Sequence, residues 1–362
     1  MRELRDIIAA FDRCCEAGER AVLATVVHVE GSTYRRRGAR LLVLADDTMV
    51  GLISGGCLEG DLLEHAHRVR ASGVPEWIHY DASREDDLVW GLGLGCAGVV
   101  DVWMERVEAA APGPLAWIAD WLGSGTRGAL ATAVEGPRAG ALGAMVEGGS
   151  AEGALADPVV SASLERALEV GHGRTLASET ERISIEVFAP PLRVVLFGAG
   201  PDAAPLARTC DALGWEVAVF DPRPAAARAE RFPGATVRCA AIGDAVAAAA
   251  VDARTHCVVM NHHYLHDRVV LAALLATEAP YIAVLGPKDR TGLLLADLPD
   301  EGVRWREEDA HRLYAPAGLD LGADAPEAIA LAIAAEIQAV SAGRSGGLLR
   351  ERKGPIHDPE AD

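Results

Sequence analysis

The chain has 362 residues, half of them hydrophobic, and a formal net charge of −19 at pH 7. That acidity argues against a general nucleic-acid surface and against docking on an anionic membrane. No apolar run approaches the ~18 residues needed to span a bilayer. The opening Met1-Arg2-Glu3-Leu4-Arg5-Asp6-Ile7 is charged from its second residue and lacks the apolar core of a secretory signal. Seven cysteines, without a CxxC or a Cys/His zinc spacing, fit a reducing cytoplasm and no structural disulfides. The length suggests two or three domains.

Leu4, Ile7, Ile8, Phe11 and Cys15 form an apolar stripe that predicts a helix over 2–17, ended by Gly18. The β-branched run from Ala21 to Val29 predicts a buried strand. A loop follows, with Arg35, Arg36 and Arg37 in succession, and then a hairpin, 40–44 with 49–53, around Asp46-Asp47. The stretch from Gly51 to Asp61 reads as a strand end, Gly55 and Gly56, Cys57 and a helix start. Leu58, Leu62, Leu63 and Val69 carry that helix to Arg70. A strand near Trp77 to Tyr80, a glycine-dense loop holding Gly95 and Cys96, and a strand over 99–107 complete an α+β unit spanning 1–108.

Gly55 and Gly56 leave the backbone room to turn and a ligand room to approach. Cys57 then falls at the N-terminal end of a helix, where unpaired N–H groups and the dipole favour an anion, so its thiol should ionise readily. Cys96 has a similar small-residue setting. The competing reading is that both are small buried hydrophobes, the role assigned to Cys14, Cys15, Cys210, Cys239 and Cys257. The arginine triplet suits a phosphate and equally suits a solvated loop.

Residues 109–190 are rich in Gly, Ala and Pro, with strand-like stretches at 128–134 and 183–188. They read as a β-rich extension or linker, closed by Ala189-Pro190-Pro191. From Leu192 the pattern alternates. Strands are predicted at 193–197, 216–220, 256–260, 281–285 and near Leu313, and helices at 204–213, 225–231, 240–252, 267–277 and 324–340. This specifies a Rossmann-like, doubly wound parallel sheet over 191–341, with a mobile tail over 342–362. The fold class is thus α/β, with an α+β domain ahead of the parallel sheet.

Gly198-x-Gly200-x-x-Ala203 follows a strand and opens a helix, and Asp221 ends the next strand. That is the dinucleotide spacing. Pro201 and Asp202 put a missing N–H and a carboxylate where a pyrophosphate wants donors, so bound nucleotide stays open. His262, His263 and His266 follow another strand and suggest metal binding, proton transfer, or hydrogen-bonded loop histidines. Lys288 and Arg290 follow the next, and either hold an anion or stand in solvent.

Taken together these stretches resemble the XdhC/CoxI family, accessory proteins of xanthine dehydrogenase and related molybdenum hydroxylases. The likeness rests on Gly31-Ser32-Thr33-Tyr34-Arg35, Ser54 to Gly60, Gly93-Leu94-Gly95-Cys96, the Gly198 turn with Asp221-Pro222-Arg223, Asn261-His262 with Asp267, Gly286-Pro287-Lys288, Ala315 to Gly322 and Gly354-Pro355-Ile356-His357. Departures are Pro201, where members commonly have His, Asp289 in a loop that is often more basic, and Ala97 in place of a glycine.

The resemblance implies a maturation factor without turnover of its own. It would bind molybdenum cofactor (molybdopterin or its cytidine dinucleotide form), protect it, support its sulfuration with a cysteine desulfurase, and insert it into a molybdenum hydroxylase apo-enzyme. A homodimer is implied as well. The implied cofactor contacts are Arg35, Gly55, Gly56, Cys57, Gly95, Cys96, Gly198, Gly200, Asp221, His262 and Lys288. Cys57 and Cys96 would face the metal or its sulfur, and Arg35 or a neighbour would hold the phosphate. The rival expectation is an NAD(P)-dependent oxidoreductase using the Gly198 turn, with Cys57 or a histidine as catalytic group.

Overall fold

A computed structural model describes residues 1–31, 33–81 and 98–353. Gly95 and Cys96 lie outside the described residues. The chain divides near Pro190 into two compact units, the second of which also takes in Met1 and Arg2.

The unit that precedes Pro191 is built on two five-stranded antiparallel sheets. After helix α1 (Arg2–Glu16), the first sheet contains β1 (Ala21–Gly31), β2 (Arg40–Val43), β3 (Met49–Gly51), β4 (Glu76–Asp81) and β5 (Gly98–Val107), in the order β3-β2-β1-β5-β4. Helix α2 (Glu59–Ser72) covers one face. Its Leu62, Ala66 and Val69 are fully buried against Val22, Ala24, Val26, Val102 and Met104. The alternation along β1 sends Leu23 to the opposite face, where Ile7, Ala10 and Phe11 of α1 meet it. Burying each of the Val, Leu, Ile, Met and Phe side chains among these is worth roughly 1.5–3 kcal/mol.

Register decides where the loops open. Gly31 at the end of β1 pairs with Gly98 at the start of β5, and Gly51 at the end of β3 pairs with Leu41 at the start of β2. Asp81, ending β4, pairs with Val99. The arginine loop and the Cys57 loop therefore leave the same end of the sheet, the end at which β5 begins.

The second sheet has the order β8-β7-β6-β10-β9, from β6 (Gly128–Glu135), β7 (Leu142–Val146), β8 (Glu152–Gly153), β9 (Arg174–Ala177) and β10 (Arg182–Phe188). Helices α3 (Leu115–Ser124) and α4 (Pro158–Val170) pack on its two faces. Asp157 caps α4 by accepting from the Val159 and Val160 amides, Pro158 occupies its first turn, and Gly171 (φ 84°) closes it. The two sheets are joined by polar bonds. Ser184 donates to the Val27 carbonyl at 2.7 Å, Arg37 reaches the Arg174 carbonyl at 3.0 Å and Thr175 Oγ1 at 3.1 Å, and Arg40 pairs with Glu186.

The unit from Pro191 onward is a six-stranded parallel sheet in the order β13-β12-β11-β14-β15-β16. Its strands are β11 (Arg193–Phe197), β12 (Glu216–Asp221), β13 (Thr236–Cys239), β14 (Thr255–Val259), β15 (Tyr281–Val284) and β16 (Leu313–Tyr314). Val194 and Leu196 pack under α5 (Ala203–Ala212) and α9 (Pro326–Ser341). Val195 and Phe197 point to the other face, under α6 (Ala245–Ala249), α7 (Tyr264–Leu275) and α8 (Lys288–Ala296). A sheet buried on both faces explains the unbroken apolar strands.

Three local expectations are corrected. The helix expected over 225–231 is a single 3-10 turn, Ala229–Arg231, because Phe232 must reach the core. The helix expected over 240–252 shortens to α6, ahead of which the edge strand β13 occupies residues that carry no strand-like pattern. The loop expected at 286–290 becomes the start of α8. Cys210 and Cys257 are core residues, and burial pushes the Cys210 thiol up to about 12. Cys239, expected in the core, is exposed at the end of β13. Among the described residues no helix is long and apolar enough to cross a membrane, and no group of three His, Cys, Asp or Glu is placed to hold a metal ion.

Candidate functional site

The Cys57 loop is ordered from within. Ser54, almost wholly buried, accepts on Oγ from the amides of Gly56 (3.2 Å), Cys57 (3.1 Å) and Leu58 (3.1 Å), and donates to the Glu59 carboxylate. Glu59 in turn accepts from the Ser54 amide at 3.1 Å and the Leu58 amide at 3.2 Å. This is the reciprocal logic of a capping box, displaced by one turn. The amides expected to await an anion are thus occupied by the loop's own serine and glutamate, and the helix begins at Glu59 rather than at Cys57. What the loop presents outward is a side chain: Gly55, Gly56 and Cys57 are all exposed. Gly56 needs to be glycine for its φ of 106°. At Gly55 an added Cβ would meet nothing within 4 Å, so among the described residues space alone does not demand glycine there.

The three arginines separate by function. Arg35 makes a two-pronged pair with Glu3, at 2.9 and 2.6 Å, in the first turn of α1. Arg37 ties the two sheets together. Arg36 has no hydrogen bond or ion pair from its side chain among the described residues. The guanidinium expected to meet a phosphate is therefore already engaged by a carboxylate, and of the triplet Arg36 is the cation left at that end of the sheet. Sequence reasoning did not single out Ser54 or Glu59 as the residues that organise the loop. A serine followed five residues later by a glutamate, across a glycine pair, was the available signal.

In the parallel unit the sheet reverses its strand order between β11 and β14, and the expected residues gather at the carboxyl ends of these strands. Gly198 has φ 121°, and a Cβ there would run into the Met260 carbonyl. Asp221 is 1% exposed and accepts from the Ala199 amide at 2.7 Å, the Arg223 amide at 2.8 Å and the Arg223 guanidinium at 2.9 and 2.8 Å. Burial opposes its ionisation, but the Arg223 guanidinium and the two amides outweigh that and hold its carboxyl below the usual range. Arg231 bonds the Ala199 and Ala226 carbonyls. His262 Nε2 lies 3.0 Å from Asp202 Oδ2. Further along, Asp267 accepts from the Asn261 amide and side chain and pairs with Arg290. Lys288 stands exposed at the start of α8.

This geometry defines a Rossmann-type α/β protein that carries, in a separate unit of antiparallel sheets, an exposed cysteine on a self-capped glycine turn. Residues 194–337 match the XdhC Rossmann domain, and residues 14–81 match the XdhC and CoxI family. A Bacillus subtilis protein named as a probable subunit of xanthine dehydrogenase is 33% identical over 328 residues, 90% of this chain and 95% of that protein. The molybdenum cofactor insertion chaperone PaoD of Escherichia coli is 24% identical over 326 residues, 90% of this chain and 84% of that one. A crystal structure described as a xanthine dehydrogenase from Bacillus halodurans superposes with a TM-score of 0.77 at 30% identity, covering 94% of this chain and 97% of that one. The chain belongs to the XdhC and CoxI family.

Proposed function

We propose that the protein is a maturation factor for molybdenum hydroxylases and that it receives molybdenum cofactor at the Cys57 loop. The observation that carries this reading is the loop itself: a thiol held outward on a backbone fixed by Ser54 and Glu59, at the sheet end that also carries Arg36. The residues present suit such a guest. A thiolate matches a soft metal–sulfur centre, a guanidinium matches a phosphate, and among the described residues nothing lies within 4 Å of where a Gly55 Cβ would stand, which leaves room for a bulky group. The cofactor, when bound, would supply the hydroxylation chemistry of the client enzyme. Cys57 offers the soft ligand and Arg36 the phosphate contact. Cys96 is assigned to the same site by family resemblance.

The names of two relatives, a probable xanthine dehydrogenase subunit and a molybdenum cofactor insertion chaperone, support the same role. In this reading residues 1–108 carry the thiol site, 109–190 extend it, and 191–341 form the Rossmann unit. The partners are a molybdenum hydroxylase apo-enzyme, a cysteine desulfurase and a second copy of the chain, in the cytoplasm. A nicotinamide-dependent oxidoreductase finds less support, because the carboxylate that would meet the ribose is engaged by Ala199 and Arg223. The test is metal and pterin analysis of protein purified without oxygen. Wild type should retain molybdenum with pterin and Cys57→Ala should retain much less. Equal retention by both, or none by either, overturns the assignment.

A further inference from the structure

In a dinucleotide-binding unit, the glycine turn and the N-terminus of the next helix receive a pyrophosphate. Here that place holds an anion belonging to the chain. Asp202, just ahead of α5, makes no side-chain cap to its own helix. Its carboxylate instead meets His262 Nε2 at 3.0 Å. His262 reaches across from the end of β14, and its ring would lie 3.3 Å from a Cβ on Gly200, so it covers the second glycine of the turn. To do this His262 adopts φ 55°, a conformation that residues other than glycine seldom hold unless their surroundings impose it.

A second observation lies one residue earlier. Asn261 is only 6% exposed, and its Oδ1 has no hydrogen-bond partner among the described residues. Its Nδ2 donates to the Asp267 carboxylate at 2.9 Å, which fixes the orientation of the amide, since a carboxylate only accepts. A buried acceptor without a donor is unfavourable. The Asn261 backbone nitrogen sits against Gly198, 2.7 Å from where a Cβ would stand. The closed arrangement thus leaves a buried acceptor unmet on the residue whose backbone lies against the turn.

We propose that Asp202 and His262 form a latch that shuts the glycine turn with a built-in anion. A phosphate-bearing nucleotide enters by taking the place of Asp202 on His262 Nε2, and a hydroxyl or amino donor of that nucleotide meets Asn261 Oδ1. Asp202 is then a specificity-determining residue that disfavours nucleoside diphosphates. The inference goes beyond the maturation role and does not rest on it, and its failure leaves the Cys57 assignment untouched.

The experiment is calorimetric titration of the full chain with ADP, and separately with adenosine, which lacks the phosphates. Asp202→Asn should bind ADP at least about ten-fold more tightly than wild type, with adenosine binding unchanged. The double variant Asp202→Asn, His262→Ala should lose that gain. Asp202→Ser provides a second variant should Asp202→Asn melt well below wild type. Equal ADP affinity in wild type and both single variants, absence of ADP binding throughout, or an equal gain for adenosine each overturns the latch.

Discussion

Ser54 and Glu59 hold each other across the turn that presents Cys57, the hydroxyl donating to the carboxylate while the Ser54 and Leu58 amides donate back to Glu59. The Leu58 amide is shared with the same hydroxyl, on which the Gly56 and Cys57 amides also converge. Ser54→Ala removes this centre and leaves the amides of Gly56 and Cys57 to water. Loss of a serine that serves as a cap typically costs about 0.5–2 kcal/mol. We expect a loss of this size by urea denaturation, with molybdenum retention falling as it does in Cys57→Ala. A variant as stable as wild type would mean that the loop is held by other contacts.

Thiol reactivity separates the cysteines. Cys57 and Cys239 are exposed, while Cys14, Cys210 and Cys257 are buried. Burial also pushes the thiols of Cys14 and Cys210 upward, which lowers their thiolate fraction. Cys57→Ser and Cys239→Ser should each remove about one rapidly reacting equivalent in a timed titration with a disulfide reagent, relative to wild type. Cys210→Ser should leave the rapid phase unchanged. If Cys57→Ser leaves the rapid phase intact, the thiol is not presented as described.

The fold was legible where one periodicity dominated. The runs at 193–197 and 216–220 have no polar interruption because both faces of the sheet are covered, and the glycine turn between them marks the first crossover. Residues 109–190 were less legible because their core uses small side chains. Ala129, Ala131 and Ala133 line the face of β6 under α4, and alanines give little hydrophobic contrast. The signals for α4 were nonetheless present in Asp157, Pro158 and Gly171. At the site, the types of residue were readable but their pairings were not. Nothing in sequence spacing links Arg35 to Glu3 or Asp202 to His262, since each pair joins elements far apart along the chain.

Glu105 makes a pH prediction. It lies on β5, 9% exposed, and burial pushes its carboxyl up to about 7, an effect that the nearby Arg40 charge only partly offsets. Its ordinary value is 4.5. The folded value is therefore the higher one, so the fold binds a proton that the unfolded chain has released. The stabilisation is full below about 4.5 and is lost as pH rises through about 7. Glu105→Gln removes the titration. It should be more stable than wild type above pH 7, by roughly 3–4 kcal/mol at most, and the difference should shrink on acidification. Denaturation midpoints at pH 5 and pH 8 check this, and a difference that does not change with pH would refute it.

Asp221 should respond in the opposite direction. Its carboxyl is held below the usual range because the Arg223 guanidinium and the Ala199 and Arg223 amides outweigh the penalty of burial. Here the folded value is the depressed one. The stabilisation is present above the unfolded carboxylate range, near 4, and is lost as pH falls through the folded value. Asp221→Asn keeps the shape but removes the charge that holds Arg223 and weakens the acceptor for the Ala199 amide. The cost should be about 1–3 kcal/mol at pH 7, as for other hydrogen bonds to buried charged groups. It should also flatten the acid limb of the stability profile. Because that carboxylate organises the glycine turn from inside, Asp221→Asn should loosen the turn's backbone. Hydrogen exchange at the Ala199 amide would then quicken, whereas a carboxylate that only awaited a ribose would leave that amide unchanged.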